Sequence, residues 1–328
     1  MDINGIARLA GVSRATVSRY LNDGYVSKEK RAAIAKAIEE TGYVPSRQAQ
    51  QLRTGKTHLV GVIIPKLNSQ SVSRMVSGIT EVLEPEGYQT LLADTNNNAQ
   101  QELDYLRIFS ESNRVDGIIL LATVLTDAHR AAFSSLHIPL VVLGQQVDEI
   151  PCVYNDNYHA AYDITRATIQ GSQCPAFIGV TEADVAAGLM RHKGFVDACA
   201  SMGVSSREDL QLISDFTADG GYQCCEQIMN DAPQCDAIVC ATDTIAYGAI
   251  TCLREYGHRV PEDVQVSGIG DSEFSQIIWP SLTTAHLFYK SSGAAAAQLL
   301  IHVLERDESM GATEIKIGYD IFVRSSTR

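Results

Sequence analysis

No run of eighteen apolar residues occurs in the 328-residue chain, so it offers no segment able to cross a bilayer as a helix, and no membrane partner is expected. The opening residues, MDINGIARLAG, lack the basic-then-apolar pattern of a secretory leader, which points to a cytoplasmic location. The eight cysteines, Cys152, Cys174, Cys199, Cys224, Cys225, Cys235, Cys240 and Cys252, include no CxxC pair and no histidine at zinc-finger spacing. They read as buried or half-buried free thiols of a reducing compartment. There is also no GxSxG, no Walker loop, no dinucleotide fingerprint, no metal-ligand cluster and no carboxylate spacing suited to paired acid–base work. An enzyme is therefore not expected, and neither is a cofactor or metal. No leucine heptads follow the last apolar stretch, Ile315 to Val323, which argues against a tetramer built through a coiled coil.

What the chain does have is an uneven charge. Its net charge is −13. Up to residue 57, however, ten basic residues (among them Arg8, Arg14, Arg19, Arg47 and Arg53) face only five acids, giving +5 and leaving −18 on the remainder. A basic head on an acidic body suggests a polyanion-binding module. The length suits two or three domains, and 45% hydrophobic residues are enough for real cores.

Periodicity divides the chain further. Residues 1–45 read as three short helices. Asp2 caps the first, which carries Ile3, Ile6, Ala7, Leu9 and Ala10 on one face. Gly11 breaks it, Ser13 caps the second with Val17, Tyr20 and Leu21 turned inward, and Asn22-Asp23-Gly24 ends that helix. Ser27 opens a third, carrying Ile34, Ala35 and Ile38, which Gly42 closes. Two helices joined by a tight glycine turn form a helix-turn-helix. Residues 46–58 are polar and basic, a linker with a short, marginal helix. From 59 to 328, β-branched runs (LVGVIIP, QTLLAD, GIILLA, LVVLG, AFIGV, LQLIS, AIVCA, VQVSGIG) alternate with helical stretches. That alternation indicates parallel sheets buried on both faces. With four or five units before Asn155 and as many after, two doubly wound parallel-sheet subdomains are expected, with a ligand in the cleft between them. The fold expected is thus an all-α helix-turn-helix head plus an α/β body.

The segment IARLAGVSRATVSRYLN, residues 6–22, resembles the lactose-repressor/galactose-repressor (LacI/GalR) family pattern A-x-x-A-G-V-S-x-x-T-V-S-R-x-L-N. The resemblance continues in GYVPSRQAQQLRTGKT, GVIIP, CATDTIAYGA, VPEDVQVSGIGD and PSLTT, in the family's order. It implies a dimeric repressor that reads operator DNA, and a body similar to periplasmic sugar-binding proteins. A recognition helix in the major groove presents Ser13, Arg14, Ala15 and Ser18 to bases and phosphates, with Arg19 one turn on and Asn22 at its end. An arginine fork suits guanine, alanine touches only a thymine methyl, and Ser13 and Thr16 suit phosphates. Arg47, Ala49, Gln50 and Leu52 match the family's hinge. The resemblance implies that this segment folds in the minor groove when two subunits meet, with Leu52 wedging a base step.

For the effector, Arg191 in RHKGF matches the family's ligand-gripping arginine, and Phe216 stands where an aromatic often stacks on a sugar ring. Ser69 and Gln70, Gln145 and Gln146, Thr242 and Asp243, and Asp271 follow strand ends and complete the candidate contacts. Three departures from the family pattern stand out. Thr242-Asp243 replaces Asn-Asp, Ile269-Gly270-Asp271 replaces F-D-D, and Asn68-Ser69-Gln70-Ser71 replaces a proline-aromatic pair. Asp243 reads equally as a helix N-cap, and Tyr154, Tyr158 and Tyr162 read as packing residues. The function implied is a repressor of carbohydrate-utilisation genes whose operator affinity responds to a small sugar or sugar phosphate. The alternative is a cytoplasmic solute-binding sensor with no direct DNA role.

Overall fold

A computed structural model describes residues 1–22, 24–43, 56–111, 114–306 and 313–328. The chain divides into two compact units, Met1–Thr57 and His58–Arg328.

The first unit contains helices α1 (Ile3–Leu9), α2 (Arg14–Tyr20) and α3 (Lys28–Thr41). Asp2 accepts from the Gly5 amide at 2.9 Å, and Ser13 Oγ accepts from the Thr16 amide at 3.2 Å, so each cap satisfies a donor the helix leaves open. Gly11, at φ +62°, makes the turn between α1 and α2 in a conformation that side chains with a Cβ rarely adopt. Ile6, Ala7, Val17, Val26, Ile34 and Ala37 form the core. Two expected core residues are displaced: Leu9 is 58% exposed and Ala35 is exposed. Each helix keeps only a narrow stripe inside, Ile6 and Ala7 of α1 and Ile34 and Ala37 of α3, and both residues lie off it.

The second unit is an α/β body. Its first half runs β1 (Leu59–Ile64), α4 (Gln70–Leu83), β2 (Gln89–Asp94), α5 (Ala99–Glu111), β3 (Gly117–Leu121), α6 (Asp127–Ser134), β4 (Leu140–Leu143) and β5 (Cys152–Asn155). There follow α7 (Asn157–Thr168), β6 (Pro175–Gly179), a π-helical turn (Val185–Met190) leading into α8 (Arg191–Ser201), and β7 (Gln211–Ile213). Next come α9 (Ala218–Asp231), β8 (Ala237–Cys240), α10 (Asp243–Glu255), β9 (Gln265–Ile269), α11 (Phe274–Ile277) and β10 (Thr283–Leu287). The chain closes with α12 (Tyr289–Arg306), β11 (Glu314–Ile317) and β12 (Tyr319–Phe322).

Two six-stranded sheets result, ordered β11-β5-β4-β3-β1-β2 and β12-β10-β9-β8-β6-β7. Every pair is parallel except β10–β12. Strands β1, β3 and β4 are buried nearly throughout, which is why they read as unbroken apolar runs. QTLLAD departs from that reading. As edge strand β2 it leaves Leu91 and Leu92 exposed, since no further strand covers it.

The two halves are not sequential. Helix α12 packs on the first sheet and β11 joins it, whereas β12 returns to the second. The chain therefore crosses between subdomains three times, near Asp156, Phe288 and Gly318. The crossings are tied together: the Asp156 amide donates to Ile317 O at 2.9 Å, and Ser292 Oγ donates to Asn155 Oδ1 at 3.3 Å. Close helix packing supports each half. A Cβ built on Gly78 would lie 1.9 Å from Lys290 O, and one on Gly293 would lie 2.0 Å from Met75 O, so α4 and α12 meet backbone to backbone. All eight cysteines are free, six of them buried. Among the described residues no helix is long and apolar enough to cross a membrane.

Candidate functional site

Helix α2 buries Val17, packs Tyr20 against the core and turns Arg14, Ala15 and Arg19 outward. Ser13, Arg14, Ala15, Arg19 and Asn22 are exposed, and Thr16 and Ser18 are half-buried. Ser13 and Thr16 share a hydroxyl hydrogen bond of 2.9 Å, and Asn22 Nδ2 donates to the Ser18 carbonyl. Two other cations of the head are engaged. Arg31 donates to Gly24 O at 3.3 Å and lies 5.2 Å from the Tyr20 ring centroid, and Lys36 is 3.8 Å from Glu40. Among the described residues neither Arg14 nor Arg19 is paired with an acid. Helix α2 thus offers, near its start and its end, two guanidinium groups with no acid partner among the described residues, the fork geometry that takes phosphate or guanine. Arg47, Ala49, Gln50 and Leu52 lie outside the described residues.

In the body, a cavity of about 400 Å³ opens between the two sheets. One wall carries Asn97, Ala99 and Glu102 after β2, with Thr123 and Val124 after β3. The other carries Thr181 and Asp184 after β6, with Ser214, Asp215 and Phe216 after β7. All follow carboxyl ends of parallel strands, beside the points where strand order reverses at β1 and β6. Local conformation aims them. Asn96 and Asn97 adopt φ of +48° and +58°, which asparagine tolerates, and the Asn97 amide reaches Pro65 O at 2.7 Å.

Side chains also reach from the first subdomain to the second. Gln145 is the most committed: its Nε2 donates to Thr123 O at 2.6 Å and to Asp184 Oδ1 at 2.7 Å, and its Oε1 accepts from the Ala186 amide at 3.2 Å. Lys66 Nζ lies 5.4 Å from the Phe216 ring centroid, so one face of that ring already carries a cation. Arg74 Nη1 donates to Gly270 O and Asp271 O, each at 3.0 Å.

Arg191 is buried behind the cavity wall. Its Nε donates to Asn157 Oδ1 at 2.9 Å and its Nη1 to Ala241 O at 2.5 Å. Burial raises the Asp184 carboxyl above its ordinary range, while the Ala187 amide, Gln145 and the nearby Arg191 charge pull it down.

Of the nine expected effector contacts, only Phe216 lines this cavity. Gln145 touches its wall through Asp184, and Arg191 supports that wall electrostatically. The others are engaged by the protein. Ser69 Oγ pairs with Ser71 Oγ at 2.9 Å, and Gln70 Nε2 reaches Glu273 at 3.5 Å. The N-cap of α10 is Thr242, which accepts from the Ile245 amide at 3.3 Å, rather than Asp243. Asp243 accepts from Thr284 Oγ1 at 2.6 Å, the Ser272 amide at 2.7 Å and Ser275 Oγ at 2.8 Å. Burial nonetheless raises its carboxyl.

Asp271 is held by His286 Nδ1 at 2.8 Å and Arg324 Nη2 at 2.7 Å. Gly270, where the family pattern has aspartate, sits at φ +138°, a conformation that strains any residue with a Cβ. Gln146 turns away to Glu314 at 2.8 Å. Tyr158 and Tyr162 stack on each other at 6.3 Å along α7 as packing residues.

Sequence reasoning missed Asn97, Glu102, Thr123, Thr181, Asp184, Ser214 and Asp215. Their position just past strand ends was the available signal. Among the described residues no cluster of three metal-ligating side chains occurs.

Comparison with known proteins divides the chain in the same way. The description "Bacterial regulatory proteins, lacI family" matches residues 2–46, and "Periplasmic binding proteins and sugar binding domain of LacI family" matches residues 57–323. The sucrose operon repressor of Staphylococcus xylosus is 33% identical over 93% of this chain and 94% of its own length. A solved complex of the transcriptional regulator CelR with cellobiose is 27% identical, with a TM-score of 0.77 over 99% of each chain. The Lac repressor bound to ONPG, at 22% identity, shares the fold with a TM-score of 0.90 over 100% of this chain and 99% of that one. A helix-turn-helix with free arginines, a double-sheet body with a cleft, and both sequence matches lead to one conclusion: the chain belongs to the LacI family of bacterial regulatory proteins.

Proposed function

We propose that the chain is a cytoplasmic, homodimeric repressor of carbohydrate-utilisation genes, released or tightened on its operator by a sugar or sugar phosphate held between the two sheets. Residues 1–45 read DNA, 46–58 serve as hinge, and 59–328 bind effector and dimerise. Arg14 and Arg19 read base edges, Ser13, Thr16, Ser18 and Asn22 hold the backbone, and Ala15 meets a thymine methyl. Arg47, Ala49 and Gln50 place the hinge, and Leu52 acts as the minor-groove wedge. No catalytic step is involved.

The observation that carries this reading is the pairing, in one chain, of an α2 face with unpaired arginines and a ligand-sized cavity at strand carboxyl ends. Coupling requires the ligand to favour one arrangement of the two halves over the other. The three crossings and the Gln145, Arg74 and Lys66 contacts are where such arrangements differ. An electrophoretic shift on the DNA upstream of the chain's own gene, with and without a sugar mixture, tests this. Retardation that the mixture changes supports it, and no retardation under any condition favours a sensor with no DNA role.

A further inference from the structure

Helix α4 leans on the second subdomain through the residues of its first two turns. Gln70 Nε2 reaches Glu273 Oε1 at 3.5 Å, and Met75 packs against the cluster that holds Ile269, Ala285 and Leu287. Arg74, between them in sequence, donates from Nη1 to both Gly270 O and Asp271 O, each at 3.0 Å. Its guanidinium also lies 5.5 Å from the ring centroid of Tyr289, the residue that opens α12 directly after the crossing near Phe288. One side chain of the first subdomain therefore ties a strand end of the second to the segment that joins the two.

The receiving turn is shaped to accept it. Gly270 and Asp271 stand at φ +138° and +48°, and their successive carbonyls converge on a single donor. Asp271 keeps a conformation that costs a residue with a Cβ because its surroundings fix it. Its amide donates to Thr284 Oγ1 at 3.2 Å, and its carboxylate is held by His286 and Arg324. The glycine matters too. A Cβ at position 270 would lie 3.6 Å from Asp243 Oδ2, so the aspartate of the family pattern would set a second carboxylate beside a buried one. Glycine leaves only carbonyls for Arg74 to meet. The residues lining the cavity include neither Arg74 nor its two acceptors, so protein groups alone complete this clamp.

We propose that Arg74 is a positioning residue for the effector response: from outside the ligand cavity it presets the arrangement of the two subdomains, and with it the operator affinity from which a ligand works. The operator part rests on the function proposed above, whereas the clamp rests on geometry alone. Hydrogen bonds from a guanidinium are charge-assisted and stronger than neutral ones, so two of them on one turn bias the halves toward the arrangement that makes them. A ligand shifts such an equilibrium only by the difference between its affinities for the two arrangements. Removing Arg74 therefore moves the starting point of the response without removing a residue that lines the cavity.

The test compares full-length wild type with Arg74→Gln, Arg74→Met and Arg74→Lys, all without added sugar. Small-angle scattering gives the radius of gyration, anisotropy gives affinity for the DNA upstream of the chain's own gene, and thermal unfolding shows which variants fold. In Arg74→Gln and Arg74→Met the radius should grow and DNA affinity should change at least about fivefold, the lower end of ordinary coupling between sites. Either variant suffices if the other fails to fold. Arg74→Lys, which keeps a cation near Tyr289 and a donor for the carbonyls, should fall closer to wild type. A merely structural role predicts a lower Tm with radius and DNA affinity unchanged, and that result overturns the proposal. So does a larger radius with DNA affinity unchanged. If wild type does not bind the DNA at all, the operator reading fails, while a larger radius in the folded variants still supports the clamp and an unchanged radius overturns it.

Discussion

Replacing Gln145 by alanine removes two of the hydrogen bonds that join the two halves of the body. In the structure its side chain makes three, and two of them cross the cleft, to Asp184 Oδ1 at 2.7 Å and from the Ala186 amide at 3.2 Å. A bond to a charged acceptor contributes about 1.5–3 kcal/mol and a neutral one about 0.5–1.5 kcal/mol. Their loss should therefore disfavour the closed arrangement by about 2–4 kcal/mol. Asp184 would keep the Ala187 amide at 3.0 Å, so its helix cap survives and the subdomain should stay folded. If ligand binds the closed form, a shift of that size weakens apparent affinity by about 30- to 1,000-fold, because only the closed fraction binds. Small-angle scattering should report a larger radius of gyration for unliganded Gln145→Ala, and calorimetry a weaker ligand. An unchanged radius together with unchanged affinity would refute the latch.

Other expectations follow from the same geometry. Arg14→Ala and Arg19→Ala should each cost about 1–3 kcal/mol on operator DNA and much less on random DNA. Equal losses in fluorescence anisotropy on both DNAs would make them phosphate contacts. Gly293→Ala would drive a methyl into Met75 O and should lower stability by at least about 1–3 kcal/mol, checked by chemical denaturation, with an unchanged midpoint as the contrary result. Burial raises the Asp184 carboxyl above its ordinary 3.8, so the folded state binds the extra proton. The favourable contribution is complete below pH 3.8 and is lost as pH rises through the folded value. Asp184→Asn, which keeps Oδ1 as acceptor, should thus gain stability relative to wild type as pH rises above 3.8, and parallel pH profiles would contradict this.

Which parts of the molecule the sequence revealed follows a physical pattern. Six strands, β1, β3, β4, β6, β8 and β9, are legible because they are central and buried nearly throughout, so the apolar run itself is the signal, whereas β2 and β7 are edge strands with exposed positions. Strands β11 and β12 alternate half-buried with exposed residues over four positions, too short a pattern to stand out, and α11 is a single turn. The return of β11 to the first sheet has no local signature at all. At the head, both caps and the exposed arginines were readable, because a helix-turn-helix is specified by residues close in sequence. The cavity was not.

Glu102 looks like any first-turn acid of an amphipathic helix, and only the sheet order brings His129 beside it. Asp243 and Asp271 look like ligand groups until their donors appear from 15 to 53 residues away. Arg191 likewise reaches across 34 and 50 residues to its acceptors. Long-range polar pairing is what one sequence conceals.

The central claim is that cleft and DNA are coupled, and the most direct test is reciprocity. With a sugar that the chain binds, calorimetry on the full chain would give ligand affinity with and without saturating operator, and anisotropy would give operator affinity with and without ligand. Linkage requires the two ratios to be equal, and a coupling of about 1–3 kcal/mol, roughly 5- to 150-fold, is expected. Ligand affinity identical in the presence and absence of operator, for a sugar that binds well, would contradict the account.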